Sequence, residues 1–352
     1  MNSRAQLAFL GDCLSQRPEG RRRLAATLVG GVPWPKLLQR AGTHLVTPSL
    51  AAALAEAALL ERLPDEIRDY LQTVRDLNRA RNATLYGELV RVAAALNAVD
   101  IAPQLLKGAA ALLPAQYPGA EERVIGDLDL RVPAGRYISA AEAVHRLGYQ
   151  FAEGRAVEPG AHHHGAPLLH TSKPVTVELH QRALRDLMQH AKLEWEMDLA
   201  VVTLPGTDVR VRVADPGTRL LHNFLHGQIH DRVHARYGLN LRQLLEFARI
   251  AGHHRAELDW PALLARLPRC HHRAFRLYLA AAEHWLHRPY PWTLGRPVGA
   301  AAVLWLVELG QSGEGWKQLL GMLPRLRNLP RRLVRPSWYA MKVQALRRGD
   351  PW

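Results

Sequence analysis

Two carboxylates one residue apart, Asp127 and Asp129, lie in the apolar run Val124-Ile125-Gly126-Asp127-Leu128-Asp129-Leu130-Arg131-Val132. In an extended strand alternate side chains face opposite ways, so both acids project to one side and Leu128 and Leu130 to the other. Carboxylates set this close among apolar neighbours are costly unless a cation neutralises them. Hard oxygen donors of this kind suit Mg2+, with Mn2+ as the alternative ion; Mg2+ binds through one or two carboxylates and fills its shell with substrate phosphates and water. A second apolar strand, Val175-Thr176-Val177-Glu178-Leu179-His180, brings Glu178 to the same edge as a third acid. Three carboxylates from two strands can hold ions that activate an attacking oxygen and stabilise an in-line phosphoryl displacement. His180 has two readings: it orients a carboxylate or it closes the strand.

The stretch Leu105-Leu106-Lys107-Gly108-Ala109-Ala110 supplies the complementary charge. It reads as a strand that ends at Lys107-Gly108 and a helix from Gly108 to Leu113, whose free backbone N–H groups would face an anion. Lys107 adds a mobile point charge, or serves as the counter-ion of Asp129. Arg123, four residues before Asp127, is placed to neutralise a triphosphate or a leaving pyrophosphate.

The elements that must position these residues follow from periodicity. Residues 1–99 read as a helical region, with Leu50 to Leu63 and then Asp65 to Val99 as helices, the latter carrying Ile67, Leu71, Val74 and Leu77 at three- and four-residue steps. Residues 100–214 change to short apolar runs bounded by turn residues: Pro103 to Leu106, Asp127 to Val132, Leu168 to Thr171, Val175 to Leu179 and Val209 to Val213. A helix from Tyr137 to Leu147, capped by Gly148, separates the second from the third. Residues 215–352 turn helical again, opening with Asp215-Pro216 as an N-cap and first-turn proline. Gly217 to Val233, Asn240 to Ala251, Glu257 to Leu267, Arg273 to Leu286, Gly299 to Leu309 and Trp316 to Leu323 are the candidate helices. The pattern is α+β: a mixed α/β core between N-terminal helices and a C-terminal helical domain.

Lys107-Gly108, Arg123, Asp127-Leu128-Asp129 and Val177-Glu178-Leu179-His180 occur in an order and at separations that resemble an uncharacterised bacterial group of nucleotidyltransferase-fold proteins. Gly148-Tyr149 also looks like that group's turn into the next strand. The specific part of the resemblance covers roughly residues 100–182. It implies transfer of a nucleoside monophosphate from an NTP to a hydroxyl or similar acceptor on a small molecule, peptide or protein. By the same resemblance Asp127 and Asp129 are metal ligands, Glu178 is the third acid, and Lys107, Gly108 and Arg123 hold the nucleotide. One departure stands out: Lys-Gly-Ala occupies the phosphate turn where the wider superfamily carries Gly-Ser.

Composition excludes other classes. The chain has 352 residues, 48% of them apolar, which is ample for a packed core and excludes disorder throughout. The 26 Gly and 23 Pro follow no repeat, which removes collagen-like readings. The longest uncharged apolar run, Val298 to Val307, is too short for a membrane span. The N-terminus lacks a continuous apolar signal segment, and two cysteines, Cys13 and Cys270, make no disulfide framework, so a cytoplasmic home is expected. No Gly-x-Ser-x-Gly, P-loop or Gly-x-Gly-x-x-Gly pattern is present.

The net charge of +14 comes from 46 Lys and Arg against 32 Asp and Glu, and 40 of the basic residues are Arg. An arginine bias spread along the chain fits a solvated surface better than a nucleic-acid footprint. The exception is Arg325 to Arg348, a cluster that makes an RNA acceptor the second reading. A catalytically inactive binding or accessory protein on the same fold is the other alternative. His222, His226, His230 and His234 recur every four residues, a ladder along one side of a helix. Asn223 stands where a zinc-protease helix needs Glu, so packing or contact with the substrate, with His226 as an accessory residue, is favoured over a metallohydrolase. His162, His163 and His164 read as a solvated loop over the site.

Overall fold

The computed structural model describes residues 1–15, 20, 31–113, 117, 119, 121–152, 165–184 and 199–322. Helices α1 (Ser3–Ser15), α2 (Trp34–Thr43), α3 (Thr47–Glu56) and α4 (Asp65–Asn97) come first. The middle of the chain alternates: β1 (Gln104–Leu105), α5 (Lys107–Ala111), β2 (Asp127–Arg131), α6 (Tyr137–His145), β3 (Tyr149–Phe151), β4 (Leu168–His170), β5 (Lys173–His180), β6 (Leu199–Thr203) and β7 (Arg210–Ala214). Helices α7 (Pro216–Phe224), α8 (Leu241–His253), α9 (Trp260–Arg266), α10 (Arg269–Leu286) and α11 (Ala300–Gly310) follow. This is the α+β architecture that the periodicity predicts.

The strands form one seven-stranded sheet in the order β3-β4-β5-β2-β1-β7-β6. It is mixed: β2 runs parallel to β5 and β1 to β7, while the other neighbours are antiparallel. Alternation decides which face is covered. Leu128, Leu130, Val175, Val177 and Leu179 are buried in a core shared with Leu85, Leu89, Val92 and Leu96 of α4 and Ala140 and Val144 of α6. A second core joins α1, α2 and α3 to α7, α8 and α10. Helix α4 enters both, with Leu71 in the second core and its C-terminal half on the sheet. Its 33 residues span about 50 Å.

Local signals explain most boundaries. Asp215 caps α7 by accepting the Thr218 N–H at 3.0 Å, with Pro216 in the first turn. Gly148 follows α6 at φ +93°, a conformation that suits a residue without Cβ. Three features differ from the pattern. The helix expected over Leu50 to Leu63 ends at Glu56, where Ala58 turns left-handed at φ +54° and a short 3-10 turn, Leu60–Arg62, follows. Strand β6 is added at the sheet edge; it shows no apolar-in alternation because Val201 is 56% exposed.

The third difference is in the helix expected over Gly217 to Val233. Helix α7 stops at Phe224 and the chain continues as a π-turn, Leu225–His230, in which the Asp231 N–H donates to the His226 carbonyl at 2.9 Å. Gly227 lies under Gln243 of α8, where a Cβ would stand 1.7 Å from Oε1. His234 falls in a separate 3-10 turn, His234–Arg236. Of the two cysteines, Cys13 is buried and Cys270 exposed, and both are free thiols. Among the described residues no helix is long and apolar enough to cross a membrane.

Candidate active site

The acids meet across the parallel β2–β5 pair. Asp127 is in register with Thr176, Asp129 with Glu178 and Arg131 with His180. Asp129, Glu178 and His180 offer ligand atoms that all lie within 4.8 Å of one another. Asp127 stands two residues along the strand on the same face. Asp129 is 1% exposed and its Oδ1 accepts from Lys107 Nζ at 2.7 Å and from His180 Nε2 at 2.7 Å. His180 Nε2 also lies 3.5 Å from Glu178 Oε2. A carboxylate only accepts, so the shared nitrogen carries the hydrogen, and His180, the last residue of β5, both ends the strand and contacts the two acids.

Electrostatics separates the three acids. Burial works against the Asp129 carboxylate, but the His180 hydrogen bond and the Lys107 charge outweigh it and hold its pKa below the usual range. The His180 hydrogen bond likewise lowers Glu178, against burial and the charge of Asp129. Asp127 moves the other way: burial, then Asp129 and Glu178, raise it. Burial alone would lower Lys107, yet the Asp129 charge raises it. Lys107 sits at φ +42°, a left-handed conformation uncommon for a residue with a Cβ. Its helix is only five residues long, so little dipole accumulates. Gly108 contributes room, since a Cβ there would stand 3.0 Å from Ile125 Cγ2.

The segment leading into β2 is held from both sides. From α4, Asn78 and Asn82 donate to the Arg123 carbonyl at 3.1 and 2.8 Å, and Arg81 Nε donates to the Ile125 carbonyl at 2.9 Å. Arg75 pairs with Glu121. From α8, Arg249 pairs with Glu122, and Arg242 Nη1 donates to the Val124 carbonyl at 3.2 Å. Arg123 itself is buried and donates to Glu246 Oε2 through Nε at 2.9 Å and Nη2 at 2.7 Å. Burial would lower the Arg123 pKa, but Glu246 raises it. Arg123 therefore reaches the site as one half of an ion pair with α8.

A cavity opens over Asp127 and Asp129, floored by Lys107, Gly108 and Arg123 and walled by Arg219, His222 and Asn223 of α7, His226 and Asp231 of the π-turn, and Arg242, Gln243 and Glu246 of α8. The description "uncharacterised nucleotidyltransferase" matches residues 30–287, which hold every one of these positions. The chain belongs to that family. No curated protein and no solved structure matches it.

In this nucleotidyltransferase-family chain the helices opposite the acids are rich in cations. Burial lowers the pKa of Arg219 and of Arg242, and the Arg123 charge lowers Arg242 further. His222 Nε2 donates to the Ala183 carbonyl at 3.1 Å; burial and then Lys107 push its pKa down to about 4. The same two causes push His226 down to about 2, so both rings are neutral at pH 7. The rings of His222, His226 and His230 follow one another at 6.0 and 5.3 Å between centroids, so three members of the histidine ladder are adjacent and His234 is not.

The donor set fits a hard divalent cation. Asp129 and Glu178 bring carboxylate oxygens close together beside His180 Nε2, and Asp127 adds a third carboxylate on the same face of β2; oxygen donors of this kind suit a hard ion. Sequence reasoning missed Arg219, Arg242, Glu246 and Arg249. A signal existed for three of them: 242, 246 and 249 follow steps of four and three, a charged stripe on α8 between the buried Leu241, Leu244, Leu245 and Ala248. The loop histidines 162–164 and the arginine cluster 325–348 lie outside the described residues.

Proposed function

We propose that the chain transfers a nucleoside monophosphate from an NTP to an acceptor hydroxyl on a small molecule, peptide or protein. The observation that carries this reading is one cavity with a carboxylate set on its strand side, Asp127 and Asp129 beside Glu178, and arginines on its helical side, Arg219 and Arg242. A triphosphate carrying a divalent ion needs both: oxygens for the ion and cations for the phosphates.

Asp127, Asp129 and Glu178 would hold Mg2+ or Mn2+, and the bound ion would neutralise the charge that develops on the phosphates. Lys107 and His180 fix Asp129 through Oδ1, which leaves its other oxygen for the ion. In the reaction the acceptor oxygen bonds to the α-phosphorus, the bond from that phosphorus to the bridging oxygen breaks, and pyrophosphate leaves. Glu178 completes the oxygen set or takes the acceptor proton. Gly108 leaves space beside Ile125, while Lys107, Arg219 and Arg242 bind phosphate oxygens. Arg123, paired with Glu246, sits behind them and sets the path of the strand that bears the acids.

The Lys107–Asp129 pair at 2.7 Å also favours a second reading, a binding or accessory protein in which Lys107 is the permanent counter-ion. Thermal shifts with the four NTPs, with and without Mg2+, separate the two, because a ligand that binds the native state raises its melting temperature. A Mg2+-dependent shift for one nucleotide, absent from the Asp127→Asn/Asp129→Asn double variant, supports the transferase. No shift with any nucleotide supports the accessory protein. Steep salt dependence of RNA binding would point to an RNA acceptor.

A further inference from the structure

We infer that His226, His230 and Asp231 form a separate metal site, for one divalent transition ion of the Zn2+ class, on the helical wall of the cavity. One ligand atom from each residue can be chosen so that all lie within 4.8 Å of one another. Asp231 takes one histidine on each oxygen: Oδ1 is 3.0 Å from His230 Nδ1 and Oδ2 is 3.4 Å from His226 Nδ1. The two imidazoles lie 5.3 Å apart at 35° between planes, and each brings its Nδ1 to the same carboxylate.

The backbone accounts for this convergence. In a regular α-helix residue 231 would lie about 140° around the axis from residue 226, on another face. The π-turn changes that. Its five-residue hydrogen bond, Asp231 N–H to His226 carbonyl, sets Asp231 one turn above His226 and beside it. The turn is in turn fixed by Gly227, over which Gln243 packs too closely for any Cβ. An inserted residue in a helix is unfavourable on its own, and such turns recur at functional sites.

The donors choose the ion. Two imidazole nitrogens and one carboxylate oxygen are a borderline set, suited to Zn2+, Co2+ or Ni2+, and unlike the all-oxygen set of Asp127, Asp129 and Glu178. Three protein ligands leave at least one position open, and His226 and Asp231 both line the cavity. A ligand group in the cavity can therefore complete the shell. The site does not depend on the nucleotidyl-transfer reading.

Co2+ is the probe, because its visible absorption reports ligand type and geometry. The full-length protein, stripped with a chelator, is titrated with Co2+ and then with Zn2+, in parallel with His230→Ala, Asp231→Asn and the Asp127→Asn/Asp129→Asn double variant. We expect a single visible-absorbing Co2+ that Zn2+ displaces. Its affinity should fall about tenfold or more in His230→Ala and in Asp231→Asn, since even an outer-shell change costs that much. It should persist in the double variant, which separates it from the carboxylate set. Asp231 is exposed, so Asp231→Asn tests the site without risk to the core. Absence of the spectrum, binding unchanged in both His230→Ala and Asp231→Asn, or binding lost only in the double variant would overturn the assignment and leave a histidine–aspartate hydrogen-bond cluster.

Discussion

Asp129 and Glu178 occupy directly opposed positions on two parallel strands, with His180 Nε2 at 2.7 Å from the first and 3.5 Å from the second. One imidazole thus lies against two carboxylates, while Asp127 on the same face is reached by its charge and is raised by burial and by the other two acids. The asymmetry makes Asp127 the acid with the least to lose on neutralisation and the most to gain from an incoming cation.

Asp127→Asn should therefore separate stability from function. Removing its charge relieves repulsion from Asp129 and Glu178, so the melting temperature in metal-free buffer should stay level or rise by about 2 °C. The Mg2+-dependent nucleotide shift should disappear. Calorimetry with and without Mg2+ and NTP reads both effects, and a large loss of stability in the metal-free variant would contradict the electrostatic account.

The Arg123–Glu246 pair predicts a structural defect distinct from a phosphate-binding one. Arg123→Ala leaves Glu246 buried and unpaired, which costs about 3 kcal/mol, the low end for such a break because Arg219 and Arg242 also act on Glu246. The Arg123→Met/Glu246→Leu double variant should recover most of it. Urea midpoints measure the cycle; equal loss in single and double variants would place the role of Arg123 elsewhere.

His44 makes stability depend on pH. It is buried between α2 and α3, and burial followed by the charge of Arg40 lowers its pKa from 6.5 to about 4. The unfolded chain therefore takes up a proton at a higher pH than the folded one. This contribution to stability is complete above about pH 6.5, falls as the pH drops, and levels off near pH 4 after a loss of about 3 kcal/mol. Denaturant unfolding at pH 7 and pH 4.5 for wild type and His44→Gln isolates it, since only wild type should show this component.

Gly11→Ala tests how the first helix meets the tenth. A Cβ at Gly11 would stand 2.0 Å from the carbonyl oxygen of Trp285, a backbone atom that cannot turn aside. Overpacking there should cost about 3 kcal/mol and lower the melting temperature by roughly 6 °C or more. A melting temperature within a degree of wild type would show that the two helices separate freely.

The acids were legible because period-two alternation fixes which residues share a face without reference to anything distant. Asp127, Asp129 and Glu178 needed only their own strands, and the Lys-Gly turn needed only its neighbours. Arg123 shows the limit: local spacing places it near the acids, but its ion-pair partner Glu246 lies on α8, and no short-range pattern links the two. The histidine ladder holds for His222, His226 and His230, which stay adjacent, and breaks at His234 for a related reason. Its four-residue spacing assumed a continuous helix, but Gln243 packing on Gly227 and the π-turn at Leu225–His230 are tertiary events that periodicity does not record. Strand β6 escaped because an edge strand with an exposed valine carries no apolar-in signal.

The core that joins α1, α2 and α3 to α7, α8 and α10 brings together residues that are far apart in the order of synthesis. On the ribosome, Leu10, Leu37 and Leu50 leave the exit tunnel long before Phe224, Phe247 and Phe275 exist to cover them. At roughly 5–20 residues per second the wait is on the order of ten seconds or more. During that time the amino-terminal helices expose apolar faces while the sheet, whose strands are nearer in sequence, has the partners it needs. The nascent chain should therefore be a client for chaperones that shield such faces, and truncations that delete the late helices should leave the early ones insoluble rather than independently folded.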